Sequence, residues 1–167
     1  MQRYLIALGS NRWHHSHGRP EQVLLAALTA LELRGIMVKR ASPVIASAPL
    51  GPSMRRYANG AAVVQTKLEP EELLDTLKDI EAAFGRRSVG QRWASRVLDL
   101  DIVLWSGGVL CSDTLIIPHP AFRSRTFVLT PALTIVPAWR DPISGLSVRQ
   151  LAFRLTKRLT RPRPLPR

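Results

Sequence analysis

Two aspartates in the second half of the chain, Asp99 and Asp101, have the type and spacing that best predict chemistry. They alternate with leucine and isoleucine, so the segment is typical of a strand in which residues i and i+2 point to the same side. The carboxylates would then be about 7 Å apart at their Cα atoms, near enough to share metal ions. Such hard oxygen ligands suit Mg2+, which takes one or two carboxylates and adds water and phosphate oxygens. A solvated strand face has the same pattern, so the pair alone leaves both readings open.

The segment that precedes the aspartates is rich in arginine. Arginine is always charged, and its planar guanidinium matches the oxygens of a phosphate. Because metal ions and arginines together neutralise charge in phosphoryl transfer, their proximity favours phosphate chemistry over a purely structural carboxylate pair. Two glycines and Trp93 in the same segment predict a mobile loop that closes over a ligand. The four arginines are Arg86, Arg87, Arg92 and Arg96.

Composition limits the class of protein. The chain has 167 residues, 46% of them hydrophobic, which predicts one globular domain over residues 1–160 followed by a disordered, basic, Pro-rich tail over 161–167. A net charge of +12 indicates an anionic partner. No apolar stretch predicts a membrane span or a signal peptide, so we expect no membrane contact and a cytoplasmic location. The single cysteine, Cys111, excludes an intramolecular disulfide and is expected to be a half-buried thiol.

Hydrophobic periodicity and turn residues predict the elements that position the aspartates. The order of the predicted elements along the chain is strand, helix, two strands, helix and strand. This order predicts an α+β protein with a ferredoxin-like βαββαβ core, two helices on one face of the sheet, additional C-terminal helices and a short extra hairpin. The predicted strands are Tyr4 to Leu8, Ile36 to Ala46, Gly60 to Leu68, Val97 to Trp105 and Val109 to Ser112, and the predicted helices begin at Pro20, Pro70, Phe127 and Val148.

Several ordered motifs extend the pattern around the aspartates. The sequence Arg96-Val-Leu-Asp99-Leu-Asp101-Ile follows Gly85-Arg86 and Arg92-Trp93, and it resembles the signature of the 6-hydroxymethyl-7,8-dihydropterin pyrophosphokinase family of folate biosynthesis. The similarity runs from Tyr4 to about Leu151. Its other motifs are Ala7-Leu-Gly-Ser-Asn11, Pro49-Leu-Gly-Pro52, Tyr57-Ala-Asn59, Pro118-His119-Pro120, Arg125-Thr-Phe127-Val-Leu129 and Pro131-Ala-Leu133.

The resemblance implies transfer of the β,γ-diphosphate of ATP to the hydroxymethyl oxygen of the pterin, with release of AMP. It implies two Mg2+ ions held by Asp99 and Asp101, and these residues together with Arg86 and Arg96 as the catalytic group. A monomer is expected. The residues implied in binding ATP are Lys78, Glu81, Arg86, Arg92, Trp93, Arg96, Ile102, His119 and Arg125, and those implied in binding hydroxymethyl-dihydropterin are Ser47, Ala48, Leu50, Tyr57, Asn59, Trp93, Asp99 and Phe127.

Two other functions stay open at this point. A basic nucleic-acid-binding ferredoxin-like module would account for the charge, although no aromatic signature of an RNA-binding sheet is found, so nucleic acid is not the expected partner. A non-catalytic paralogue would bind pterin or nucleotide without turnover, and Ser88, Thr114 and Ile116 depart from the family pattern in that direction. The histidines of the segment 14–17 are expected to lie in a solvated loop rather than to bind a transition metal.

Overall fold

The protein is described here by a computed structural model that covers residues 1–47, 57–85 and 97–159, with side chains up to Lys157. Seven strands and four helices lie in these ranges. In chain order they are β1 (Gln2–Ser10), α1 (Pro20–Leu33), β2 (Met37–Ala41), β3 (Ile45–Ser47), β4 (Tyr57–Thr66), α2 (Pro70–Ala83), β5 (Asp99–Trp105), β6 (Leu110–Cys111), β7 (Ile116–Ile117), α3 (Thr126–Ile135) and α4 (Val148–Leu159).

The main sheet is antiparallel and has β1 near its centre. The strand order is β2-β4-β1-β5, and β3 pairs with β4 beyond the end of β2. Strands β6 and β7 form the separate short hairpin. This is the order of a split βαβ core, which confirms the predicted ferredoxin-like α+β fold with its extra hairpin and C-terminal helices.

The two faces of the sheet have different coverings. Alternate residues of β1 point to opposite faces, so Tyr4, Ile6 and Leu8 form one core with α1 and α2. On the other face, Leu5 packs with α3 and α4. Further along this second face, Ala7 and Gly9 are partly exposed. The second face therefore contains both a packed region and an accessible surface on the same strand.

The long strand predicted over Ile36 to Ala46 is two strands, and the prediction was wrong on this point. Strand β2 ends at Ala41 and β3 begins at Ile45, and between them Pro43 has no N–H to donate to a neighbouring strand. The Ser42 N–H still donates to Ala61 O at 2.9 Å, but the N–H of Ala61 donates to the Ser42 hydroxyl, Oγ, at 2.9 Å. The predicted loop between Ser47 and Asn59 is also shorter, since both ends belong to strands.

The helices begin and end close to the predicted positions. Pro70 starts α2, and the Glu72 carboxylate caps its first turn by accepting from the Glu69 N–H at 2.8 Å. Gly85 follows α2 with φ of +84°, a left-handed conformation that other residues rarely adopt. Ser147 caps the start of α4, since its Oγ accepts from the Gln150 N–H at 3.2 Å. Within the described ranges, no helix is long and apolar enough to cross a bilayer.

Cys111 is exposed at the end of β6, so the half-buried thiol expected for it was wrong. Strands β6 and β7 form a hairpin of two residue pairs only, Leu110 with Ile117 and Cys111 with Ile116. In an antiparallel pair, successive side chains point to opposite sides, and here Ile117 enters the core while Cys111 does not.

Candidate active site

The two aspartates lie where the exposed surface of the second sheet face begins. Asp99 pairs with Gly9 of β1, and Asp101 pairs with Ala7, so both carboxylates stand on the same side of the sheet. Both side chains are half-buried. The geometry predicted from the i, i+2 spacing is therefore confirmed.

Gly9 has no side chain, so its backbone is accessible between two polar side chains. It pairs with Asn59 of β4 on one side and with Asp99 of β5 on the other. A methyl group at Gly9 would lie 3.6 Å from Asn59 Oδ1 and 3.9 Å from Asp99 Cβ. A flat ligand can thus approach the backbone here, with an amide at one edge and a carboxylate at the other. The site residues predicted from the sequence did not include Gly9, although a glycine inside an apolar strand is a signal for close approach to the backbone.

The Asn59 amide has a defined orientation. Asn59 is 5% exposed, and its Nδ2 donates to Ser47 Oγ at 2.6 Å. The oxygen Oδ1 is therefore the atom turned toward Gly9, as an acceptor for a ligand's N–H groups. The pairing of Ser47 with Tyr57 brings a phenol to the same end of the sheet. Three of the predicted pterin-binding residues are thus adjacent.

His119 lies on the other side of the aspartates, in the turn after β7. Its backbone N–H donates to Val103 O at 3.0 Å, which attaches the turn to β5. Its Nδ1 accepts from the Ala121 N–H at 3.1 Å, so a neutral ring has its proton on Nε2. Burial lowers the pKa of His119, while Asp101 acts in the opposite direction. Nε2 is consequently a neutral donor close to the carboxylates.

Arg125 and Phe127 lie on the same side of the aspartates as His119. Arg125 immediately precedes α3, and its guanidinium carbon lies 5.7 Å from the centre of the Phe127 ring. Phe127 is half-buried against the cluster beneath α3 and α4. Arg125 also lowers the pKa of His119, which is consistent with a basic group close to the imidazole. This pair adds a cation and an aromatic face to the group around the aspartates.

Three further residues predicted to bind the nucleotide lie on β5 and α2. Ile102 is in the core beneath α1 and α2. Glu81 is 3% exposed, and its Oε1 accepts from the backbone N–H of Leu100 at 2.7 Å. Lys78 is exposed on α2. The remaining predicted site residues lie outside the described ranges, and they are Ala48, Leu50, Arg86, Arg92, Trp93 and Arg96.

In the histidine segment His14 is buried, which corrects the expectation of a solvated loop at this residue, while His15 is exposed. His14 is 7% exposed, and its ring lies 4.4 Å from the ring of His15 and 4.6 Å from that of His17. His17 stacks on Phe84, the last residue before Gly85, at 4.8 Å. Among the described residues, no group of three or more His, Cys, Asp or Glu side chains is arranged to hold a metal ion. The turn therefore packs on the end of α2.

Protonation of His14 is expected to destabilise the protein. Its Nδ1 accepts from the N–H groups of Ser16 and His17, both at 3.1 Å, and a proton on Nδ1 would break both bonds. Burial, followed by the charges of His15 and His17, lowers the pKa of His14 from 6.5. The unfolded chain then binds more protons, so stability falls as the pH drops below about 6.5. Urea unfolding at pH 7.5 and 5.5 measures this, and His14→Gln should reduce the difference. Equal pH dependence in both proteins would contradict it.

The chain matches known proteins over most of its length. The family model for 7,8-dihydro-6-hydroxymethylpterin-pyrophosphokinase (HPPK) matches residues 5–137. The 2-amino-4-hydroxy-6-hydroxymethyldihydropteridine pyrophosphokinase of Pseudomonas aeruginosa is 40% identical over 145 residues, which are 85% of this chain and 85% of that protein. The protein of the same name from Synechocystis sp. is 41% identical over 129 residues, 77% of this chain and 66% of that protein.

Solved structures agree in fold. A crystal structure of Plasmodium falciparum HPPK-DHPS superimposes with a TM-score of 0.74 at 12% sequence identity, covering 95% of this chain and 43% of that one. A structure of HPPK-DHPS in complex with substrates gives a TM-score of 0.76 at 11% identity, covering 95% of this chain and 44% of that one. At such low identity the superposition supports the fold alone. The match over residues 5–137 and the relatives at about 40% identity show that the chain belongs to the 7,8-dihydro-6-hydroxymethylpterin-pyrophosphokinase family.

Proposed function

We propose that the protein transfers a diphosphate group from ATP to the hydroxymethyl oxygen of 6-hydroxymethyl-7,8-dihydropterin, releasing AMP. The observation that carries the proposal is the accessible backbone of Gly9, which lies between Asn59 on one side and Asp99 on the other. A pterin is a flat ring with hydrogen-bonding edges, and this surface offers an exposed backbone, an oriented amide oxygen and a nearby carboxylate. Family membership supports the same reaction over a nucleic-acid-binding module.

The acceptor ring is proposed to lie over Gly9 with its N–H groups directed at Asn59 Oδ1. Ser47 orients that amide through the 2.6 Å hydrogen bond, and it therefore selects a donor edge on the ligand. Tyr57 and Phe127 supply aromatic surface at the two sides, which suits the faces of a pterin. Ala48, Leu50 and Trp93 are proposed to contribute further contacts to the same ring.

Asp99 and Asp101 are proposed to hold Mg2+. Two carboxylates on one strand face are the donor set of an ion that completes its shell with phosphate oxygens and water. Bound ions would supply positive charge that neutralises the transferring phosphates. The stoichiometry of two ions is part of the proposal.

The phosphates of ATP are proposed to lie between the aspartates and His119. His119 offers a neutral N–H at Nε2, and Arg125 offers a permanent positive charge on the same side. Arg86, Arg92 and Arg96 are proposed to add guanidinium groups. These donors hold the chain of phosphates and stabilise the charge that develops during transfer, so the protein contributes positioning and electrostatics without a covalent enzyme intermediate.

An assay for AMP tests the proposal directly. Purified protein is incubated with Mg2+, ATP and 6-hydroxymethyl-7,8-dihydropterin, and AMP and the pterin diphosphate are separated by chromatography. The two products should form in equal amounts, only when all three components are present. Binding of the pterin and an ATP analogue without any AMP would instead identify a non-catalytic paralogue. Gel filtration with light scattering, run on the same sample, tests the predicted monomer.

Gly9→Leu should weaken pterin binding sharply. The new side chain would occupy the space between Asn59 and Asp99, so we expect KM for the pterin to rise by about a hundred-fold or more, corresponding to about 3 kcal/mol of lost contact. Gly9→Ala should have a smaller effect, because a methyl group makes only ordinary contacts there.

Gly60→Ala is the matched control for the Gly9 variants. Gly60 is in the adjacent strand, but a methyl group there points to the opposite face, 3.8 Å from Leu24 Cδ1. This variant should alter stability without altering KM for the pterin. Steady-state kinetics of the three proteins measures the difference, and an unchanged pterin KM in Gly9→Leu would rule out the proposed ring position.

A further inference from the structure

The carboxylate of Glu81 is buried in an unusual place for a charge. Glu81 lies in the last turn of α2 and is 3% exposed. The apolar side chains of Leu77 and Ile80, on the same helix, belong to the core against which it packs. Burying a carboxylate is costly unless strong hydrogen bonds compensate for the water it loses. An apolar residue would fill this position of the helix more cheaply, so the carboxylate itself calls for an explanation.

One of the contacts of Glu81 is a hydrogen bond to the backbone between the two aspartates. Its Oε1 accepts from the N–H of Leu100 at 2.7 Å, a short distance typical of a bond to a charged acceptor. In the main sheet β5 comes last in the order and pairs with β1. The strand that presents Asp99 and Asp101 is therefore attached to β1 through its own pairing and to α2 through Glu81.

The same residue is close in sequence to the arginine segment. Glu81 is four residues before Gly85, where α2 has ended and the chain turns with a positive φ. One hydrogen bond thus couples the end of the helix that leads into the arginines to the peptide unit that separates the aspartates. A small shift at either end would change the direction of both carboxylates, because they flank Leu100 on each side.

We propose that Glu81 is a positioning residue for the carboxylates of Asp99 and Asp101, acting through the Leu100 amide and not by contact with the nucleotide. The inference rests on the proposed function, in which those carboxylates hold Mg2+. Outer hydrogen bonds of this kind orient metal ligands, and their loss typically weakens metal affinity by about ten- to a hundred-fold. Removal of the Glu81 acceptor should therefore change the Mg2+ dependence of the rate more than it changes KM for ATP.

The test compares Glu81→Leu, which removes the acceptor, with Glu81→Gln, which keeps an oxygen of similar reach without the charge. Glu81→Leu should raise the Mg2+ concentration for half-maximal rate by about ten-fold or more, while KM for ATP at saturating Mg2+ stays within about three-fold of wild type. Glu81→Gln should be intermediate. Asp79→Leu is the matched control, because Asp79 is an exposed carboxylate on the same helix, and its Mg2+ dependence should not change.

Two readouts do not depend on turnover. Amide hydrogen exchange followed by NMR should show that Leu100 loses protection in Glu81→Leu and keeps part of it in Glu81→Gln. Titration calorimetry of Mg2+ with a non-hydrolysable ATP analogue should show the same loss of metal affinity. If wild type forms no AMP, the proposed reaction fails, yet both readouts still decide whether Glu81 positions the metal ligands.

Two results would overturn the inference. A rise in KM for ATP with unchanged Mg2+ dependence would make Glu81 a nucleotide contact. The second result is a folded Glu81→Leu protein in which the Leu100 amide has lost its protection from exchange but Mg2+ affinity is that of wild type. The hydrogen bond would then have only a structural role. Should Glu81→Leu fail to fold, a Glu81→Gln protein with wild-type Mg2+ affinity and lowered Leu100 protection would overturn the inference in the same way.

Discussion

Replacing Asp99 or Asp101 by asparagine is expected to lower the rate of AMP formation by about a thousand-fold or more, which corresponds to about 4 kcal/mol of transition-state stabilisation. Asparagine keeps the shape of the side chain but removes the negative charge on which the proposed Mg2+ site depends. Both residues are half-buried at the surface of the sheet, so neither substitution should disturb the core. Steady-state kinetics with saturating ATP, pterin and Mg2+ measures the effect.

Asp113→Asn is the control for these two variants. Asp113 is an exposed aspartate in the turn of the β6–β7 hairpin, so its replacement removes the same charge from the protein without touching β5. Its rate should stay within about two-fold of wild type, as is usual for a surface substitution. Circular dichroism would establish that all three variants are folded. Rates near wild type in both Asp99→Asn and Asp101→Asn would refute the metal assignment.

Loss of the Asp141 carboxylate is expected to destabilise the protein by about 3 kcal/mol, the scale found when one partner of a buried ion pair is removed. Asp141 is fully buried, and its two oxygens accept from Arg123 Nε and Nη2, both at 2.7 Å. It also accepts from the backbone N–H of Ile143 at 3.2 Å and from the Ser144 hydroxyl. Asp141→Ala leaves these donors without their acceptor, and urea unfolding measures the change in free energy.

The pH dependence of stability gives an independent check on Asp141. Burial alone raises the pKa of this carboxyl group, but the hydrogen bonds from Arg123 and Ser144 outweigh it and hold the pKa at about 2, below the usual 3.8. The stabilisation is therefore complete above about pH 4 and is lost as the pH falls toward 2. Asp141→Ala should lack this part of the acid transition, whereas Asp113→Ala should retain it. Identical acid transitions in wild type and Asp141→Ala would contradict the assignment.

Local sequence signals were sufficient for most of the fold. Prolines at the start of α1 and α2 and glycines after their ends mark chain conformations that depend on neighbouring residues alone. The break between β2 and β3 was missed because it involves a hydrogen bond between the Ser42 hydroxyl and Ala61 in another strand. The start of β4 at Tyr57 was missed for a similar reason, since this end of the strand pairs with β3 and β1 at once. Pairing across the sheet overrides the weak strand preference of asparagine.

In the candidate site, too, features set by local sequence were predictable and features set by contacts with distant residues were not. Asp99 and Asp101 were predictable, because strand alternation alone places them on one side. Glu81 was expected only as an ATP-binding residue, although it lies four residues after Leu77 and three before Phe84, within the buried stripe of that helix. The burial of His14 could not be inferred, because it depends on contacts with a distant residue, Phe84, as well as with its own turn. The roles of the predicted site residues remain predictions until the variants are measured.

Because Gly9 pairs with both Asn59 and Asp99, the sheet fixes the distance between these two residues. The residue proposed to bind the ring and the residue proposed to bind the metal are separated by two strand spacings, about 9.6 Å, a length set by main-chain hydrogen bonds. Side-chain substitutions around the site can change affinity, but they cannot change this length. The enzyme should therefore tolerate acceptors with altered ring edges more readily than acceptors in which the arm between ring and hydroxyl is longer by one carbon.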